Sequence, residues 1–287
     1  MAPLVGSGLW FGSTGNARGI FAIGNTTVTT NIYTYANNGV TTGTNLTADS
    51  EGGAAAGNST LGIFALGNET PITNIYTYAS NGVTTGTNLT VAPAGGAATG
   101  NSTLGIFALG ENAVTTTNIY TYASNGVATG TNLTPGFDGG AAAGNSTLGI
   151  FALGNNIVTT NIYTYASNGV TTGTNLTADL DEGAAAGNST LGIFALGYSG
   201  SAYTPTTNVY TYASNGVTTG TNLTADLGEG AAAGNSTLGI FALGYSGSAY
   251  TPTTNVYTYL NNAVSTGTNL TADVNFGIAT SSTPGGF

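Results

Sequence analysis

The same forty-odd residues come round six times in this 287-residue chain. Ile-Phe-Ala begins at Ile20, Ile63, Ile106, Ile150, Ile193 and Ile240. Each is followed by Asn-(Ile/Val)-Tyr-Thr-Tyr, beginning at Asn31, Asn74, Asn118, Asn161, Asn208 and Asn255, and then by Gly-Thr-Asn-Leu-Thr. A repeat this short cannot bury its apolar residues alone, so the copies must pack on one another.

Four segments of each copy read as strands. In the fourth copy they are Gly139–Gly144, rich in Ala and Gly; the apolar Leu148–Leu153; Thr160–Ala166; and Val170–Thr177. Thr, Tyr and β-branched residues favour strands, and the Gly content opposes helix. Asn-Gly stands between the third and fourth strands of five copies and reads as a type I′ hairpin. The sixth copy has Asn262-Ala263, which predicts an altered turn. Four antiparallel strands at this period predict an all-β fold, a six-bladed β-propeller, with the Ala/Gly strand innermost where the blades converge. The Tyr-Thr-Tyr segments read as packing residues, one Tyr on each face of a blade.

Closing a ring needs one more small-residue strand. Residues 274–282 align with the inner-strand segment that begins at Asp226 and are the expected closing strand; Leu9–Asn16 is the competitor. The expected organisation is therefore a segment 1–16, with Trp10 and Phe11 as partner anchors, and a propeller over 17–287.

The order of a small-residue strand, an apolar strand ending in Gly (Leu66-Gly67) and a Tyr-bearing strand resembles the kelch family of β-propellers over essentially the whole chain. A kelch repeat ends its second strand in paired Gly and carries an outer-strand Trp, where this chain has Leu66-Gly67 and Leu89. More narrowly, Ala17–Ala22 and Gly144–Phe151 resemble repeats in virion structural proteins of bacteriophages, notably those of cyanobacteria. That resemblance implies a virion structural or accessory protein on a capsid, neck or tail, serving decoration, attachment or host-surface contact. Its partners would be other virion proteins and a host-surface glycan or protein. The alternative is a bacterial cell-surface or extracellular carbohydrate-binding or matrix propeller.

Composition narrows the chemistry. The chain has no Cys, no His, no Lys, one Arg (Arg18) and eleven carboxylates, for a formal net charge of −10. One cation cannot neutralise a run of phosphates, which excludes nucleic acid, and the chain has no basic stretch for an anionic membrane. A Ser-His pair, a thiol nucleophile, a Schiff base and an ordinary zinc site are all impossible. No catalytic residue, cofactor or metal site is expected. Asp179, Asp181 and Glu182 lack the alternating ligands of an EF-hand loop. Met1–Trp10 has neither a basic stretch nor a sustained apolar run, so no secretory signal is expected.

Turns alternate between the two faces of a propeller. The Gly-Asn-Ser-Thr and Ser-Asn-Gly turns share one face and barely vary. The second–third loops and the blade-to-blade connections share the other, and all eleven carboxylates fall there. Loops on a rigid scaffold are where recognition usually sits. Copies five and six lengthen this face with Tyr198-Ser-Gly-Ser-Ala-Tyr203 and Tyr245-Ser-Gly-Ser-Ala-Tyr250. Tyr with Ser and Gly is a paratope-like combination, so Tyr198, Tyr203, Tyr245 and Tyr250 are the candidate binding residues, expected to add little to folding.

Overall fold

The computed structural model describes residues 17–24, 26–67, 69–110 and 114–283. Trp10 and Phe11, and with them the expected N-terminal arm, lie outside the described residues, as does Glu111. Six four-stranded antiparallel sheets make six blades. Blade 4 runs Ala141–Gly144, Leu148–Ala152, Thr160–Thr164 and Gly169–Thr172 from axis to rim. Blade 1 takes its inner strand from the other end of the chain: Ile278–Ser281 pairs with Arg18–Ala22, Ala279 opposite Phe21 and Ile278 opposite Ala22. Inner strands contact their neighbours all the way round, so the ring is closed. No helix of the described residues is long and apolar enough to cross a membrane.

The core lies between blades. One blade offers a flat face of Ala141, Ala143, Ile150 and Ala152; the next lays Phe194, Leu196, Tyr210 and Tyr212 against it. The other five interfaces repeat this pairing of a small face with a bulky one. Both Tyr of a Tyr-Thr-Tyr segment therefore lie on the same face, with Tyr210 and Tyr212 ring centroids 6.4 Å apart. The reading of one Tyr per face is corrected by the two-residue period of a strand, which returns position i+2 to the side of position i.

Residues 173–177 do not continue the fourth strand, which ends at Thr172. They leave the sheet because their polar groups bond to the next blade. Thr174 N donates to Asn215 Oδ1 at 3.0 Å, and Thr177 N donates to the buried Asn208 Oδ1 at 2.7 Å, while Leu176 drops into the interface core. The same two bonds recur at every interface, including the seam, where Thr268 N reaches Asn38 (3.2 Å) and Thr271 N reaches Asn31 (2.7 Å). Burying an Asn requires such a partner, which accounts for both repeated motifs.

The third–fourth turn also differs from the expected type. Its four loop residues end on an Asn with φ of 51–56°, and the following Gly is not left-handed. A type I′ turn would need positive φ at both. Here Asn alone carries the left-handed conformation, which Asn tolerates well. Ala263 consequently sits where the other copies have Gly, with Asn262 at φ 55° and Ala263 still paired with Thr258. The sixth turn is unaltered.

Candidate functional site

The face of invariant turns is spent on holding the ring together. Asn58 Oδ1 accepts from Thr60 N, Thr60 Oγ1 and Leu61 N at 2.8–2.9 Å, and its Nδ2 donates to Ser102 O of the next blade at 3.1 Å. Asn101, Asn145 and Asn188 repeat the arrangement. The axial channel offers little more. Its free spaces of about 70 and 80 Å³, lined by Ala and Gly of the inner strands, are well below the roughly 300–1,000 Å³ of ligand pockets.

The opposite face is different. Each connection approaches its inner strand through one left-handed residue: Gly52, Gly95, Gly139, Glu182, Glu229 and Phe276, with φ of 50–64°. Hydrogen bonds tie these positions across blades, among them Gly139 N to Gly95 O, Glu229 N to Glu182 O and Gly277 N to Glu229 O, at 3.1–3.2 Å. Three blades use Gly, which tolerates this conformation. The other three, neighbours in the ring, place side chains there at a cost of about 1 kcal/mol each. Such strain persists where the surroundings hold it, often at functional positions.

The four candidate tyrosines stand over this sector. In blade 5 the second–third hairpin lengthens to Leu191–Ser199 and Ala202–Thr211, against five-residue strands in blade 4. Beyond a bulge between Ala195 and Gly197, Tyr198 pairs with Tyr203. Blade 6 pairs Tyr245 with Tyr250 in the same way. The rings run in one continuous row across the two blades. Centroids are 5.4 Å apart for Tyr198–Tyr203, 5.0 Å for Tyr203–Tyr245 and 5.3 Å for Tyr245–Tyr250, with interplanar angles of 72°, 61° and 64°. Edge-to-face contacts at these distances are attractive.

Two carboxylates anchor the row. Tyr203 OH donates to Glu182 Oε2 at 2.7 Å, and Tyr250 OH donates to Glu229 Oε2 at 2.6 Å. Burial first, and then the Glu182 carboxylate, raise the Tyr203 phenol well above its ordinary value. The bond to Glu229 first, and then burial, push Tyr250 up to about 12. Burial raises Glu229 as well, and the Tyr250 bond opposes that shift. Tyr203 lies over Gly228, where an added Cβ would fall 2.2 Å from its ring. The other copies have Glu51, Ala94, Asp138, Asp181 and Asn275 at that place. Gly228 is thus what admits the ring.

Tyr250 is exposed, whereas Tyr203 is half-buried and packed over Gly228 at the entry to blade 6. Beside the row a funnel of about 430 Å³ opens over the axis, lined by Glu51, Glu69, Asp138, Asp181, Glu182 and Phe276 among others. No group of three or more carboxylates among the described residues is arranged to hold a metal ion, including Asp179, Asp181 and Glu182.

Sequence reasoning singled out the tyrosines as candidates and did not connect them with Glu182, Glu229, Gly228 or Phe276, which the fold brings beside them. A signal was present: Glu-Gly replaces Gly-Gly in the two copies that carry the Tyr insertion. Fold and site define a six-bladed β-propeller with one asymmetric, tyrosine-lined sector. No family model and no curated protein matches the chain.

Proposed function

We propose that this chain is a non-enzymatic virion structural or accessory protein of a bacteriophage, which meets another virion protein or a host surface through its tyrosine-lined sector. One observation carries the recognition reading. In a ring of near-identical blades, two neighbours carry the same Tyr-Ser-Gly-Ser-Ala-Tyr insertion, and there four tyrosines touch in a row above connections whose left-handed residue is Glu182, Glu229 or Phe276 where blades 2, 3 and 4 have Gly. Folding alone does not require this, since blades 2, 3 and 4 close the same ring with Gly at those positions. A chain without His, Cys or Lys supports a binding role better than a catalytic one. The virion assignment is supported by the resemblance of Gly144–Phe151 and its copies to phage structural repeats, and the kelch-like strand order supports the same propeller ancestry.

Quantitative mass spectrometry of purified particles from the native source tests the assignment. The chain is expected in fixed stoichiometry with the capsid protein. Its absence from particles and retention on bacterial envelopes would replace the virion reading with the cell-surface one.

A further inference from the structure

The chemistry of the partner can be read from what the tyrosine sector lacks. Glu182 and Glu229 lie under the row, and Asp179 and Asp226 approach the hairpin tips at Gly200 and Gly247. The chain has no Lys, and its one Arg opens the second strand of blade 1, at the sheet end away from these loops. No described residue can neutralise this sector from within. The rings also share no common plane. Interplanar angles of 61–72° give corners in which the face of one ring meets the edge of the next, not a flat platform for a sugar ring. The open face of an electron-rich ring attracts a side-chain cation. A phenol that donates to a carboxylate is more electron-rich than a free one, so the Tyr203–Glu182 and Tyr250–Glu229 bonds strengthen that attraction.

Building on the recognition reading above, we infer that the sector formed by Tyr198, Tyr203, Tyr245 and Tyr250 with Glu182 and Glu229 binds a protein segment bearing Arg or Lys side chains. The cation sits in a tyrosine corner, and the carboxylates balance its charge. Arg fits better than Lys, because its planar guanidinium stacks on one ring while its N–H groups reach a carboxylate.

A labelled Gly-Arg-Gly-Arg-Gly peptide and its citrulline counterpart, titrated against the full chain at 150 mM salt, provide the test. The Arg peptide is expected to bind at least tenfold more tightly than the uncharged one. A Tyr198→Leu/Tyr245→Leu variant leaves both Tyr–Glu bonds in place and should lose at least tenfold. A Glu69→Gln variant, which removes a charge from the second–third loop of blade 2 across the ring, should lose less than twofold. Equal binding of the two peptides overturns the inference, as does an equal loss in the two variants, which would mean attraction to net charge alone. Should the leucine variant fail to fold, ¹³C-tyrosine spectra of the unaltered protein decide: shifts confined to the four loop tyrosines support the site, and their absence refutes it. If neither peptide binds but replacing the four tyrosines with Ser still abolishes attachment to the native partner, the cationic occupant is wrong and the recognition reading stands.

Discussion

Single residues set the stability of this ring through a polar group that each blade buries. The second Tyr of each Tyr-Thr-Tyr segment buries its hydroxyl between the inner strands of its own blade and the preceding one; Tyr35 finds its partner in its own blade, Ser281 Oγ at 3.1 Å, and the others face the preceding blade's strand. Where that strand offers a hydroxyl the Tyr is satisfied: Tyr78 OH lies 3.2 Å from Thr280 Oγ1, and Tyr165 OH lies 3.3 Å from Thr99 Oγ1. Tyr122, Tyr212 and Tyr259 have no hydroxyl partner among the described residues, and the corresponding inner-strand residues are Ala56, Ala143 and Ala186. An unmet buried hydroxyl costs about 1–3 kcal/mol. Replacing each of these Ala by Thr should therefore raise the unfolding free energy by about 1 kcal/mol per site, measured by denaturant titration. Thr99→Ala should lower it by a similar amount.

Asp181 gives the residue scale a pH dependence. Burial first, and the adjacent Glu182 second, push its carboxyl up to about 6 from an ordinary 3.8, against hydrogen bonds from backbone N–H groups that pull it down. The folded state thus holds this proton more tightly than the unfolded chain does. Its contribution to stability is complete below about pH 4 and is lost as pH rises through about 6. Melting temperature should fall between pH 4 and pH 6, and Asp181→Asn should flatten that part of the profile. Glu229, also raised, acts in the same direction.

At the scale of elements, one strand decides whether the ring closes. Ile278–Ser281 supplies the hydrogen-bonded partner of Arg18–Ala22, and Ser281 receives Tyr35 OH on its Oγ at 3.1 Å and Tyr78 OH on its carbonyl at 2.9 Å. A chain ending at Gly277 would leave an unpaired edge in blade 1 and a gap at the axis. Exposed edges recruit other chains, so calorimetry of the truncated protein should show a weakened, broadened transition and size-exclusion chromatography should show aggregates. An unchanged monomer with an unchanged transition would mean that the seam contributes nothing.

Much of this was legible in the sequence because each blade repeats its own evidence of strand and turn six times over. Blade count, strand order and the axial position of the Ala/Gly strand follow from spacing and residue size. What periodicity does not carry is contact between copies. The interblade roles of Asn208 and Thr177, the burial of Tyr210 and Tyr212 on one side and the seat of Tyr203 on Gly228 all join residues of neighbouring blades. Only the ring's geometry brings those residues together. The Asn-Gly turn failed for another reason: Asn took the left-handed residue alone, so Gly was a tolerated neighbour and not a requirement.

For the molecule as a whole, the two faces divide the work. One is stitched by Asn side chains into a rim without a described carboxylate, and the other carries every described carboxylate and the sector in which blades 5 and 6 share a tyrosine-bearing insertion. A rigid disc with a narrow axial channel can present that sector without changing shape, which reduces the ordering cost of binding. A cryo-EM reconstruction of the protein seated on its native partner tests this division most directly. Partner density is predicted against Tyr198, Tyr203, Tyr245 and Tyr250, with the Gly-Asn-Ser-Thr rim facing solvent. Density against that rim, or against the segment that contains Trp10 and Phe11, with the tyrosine row left bare, would contradict it.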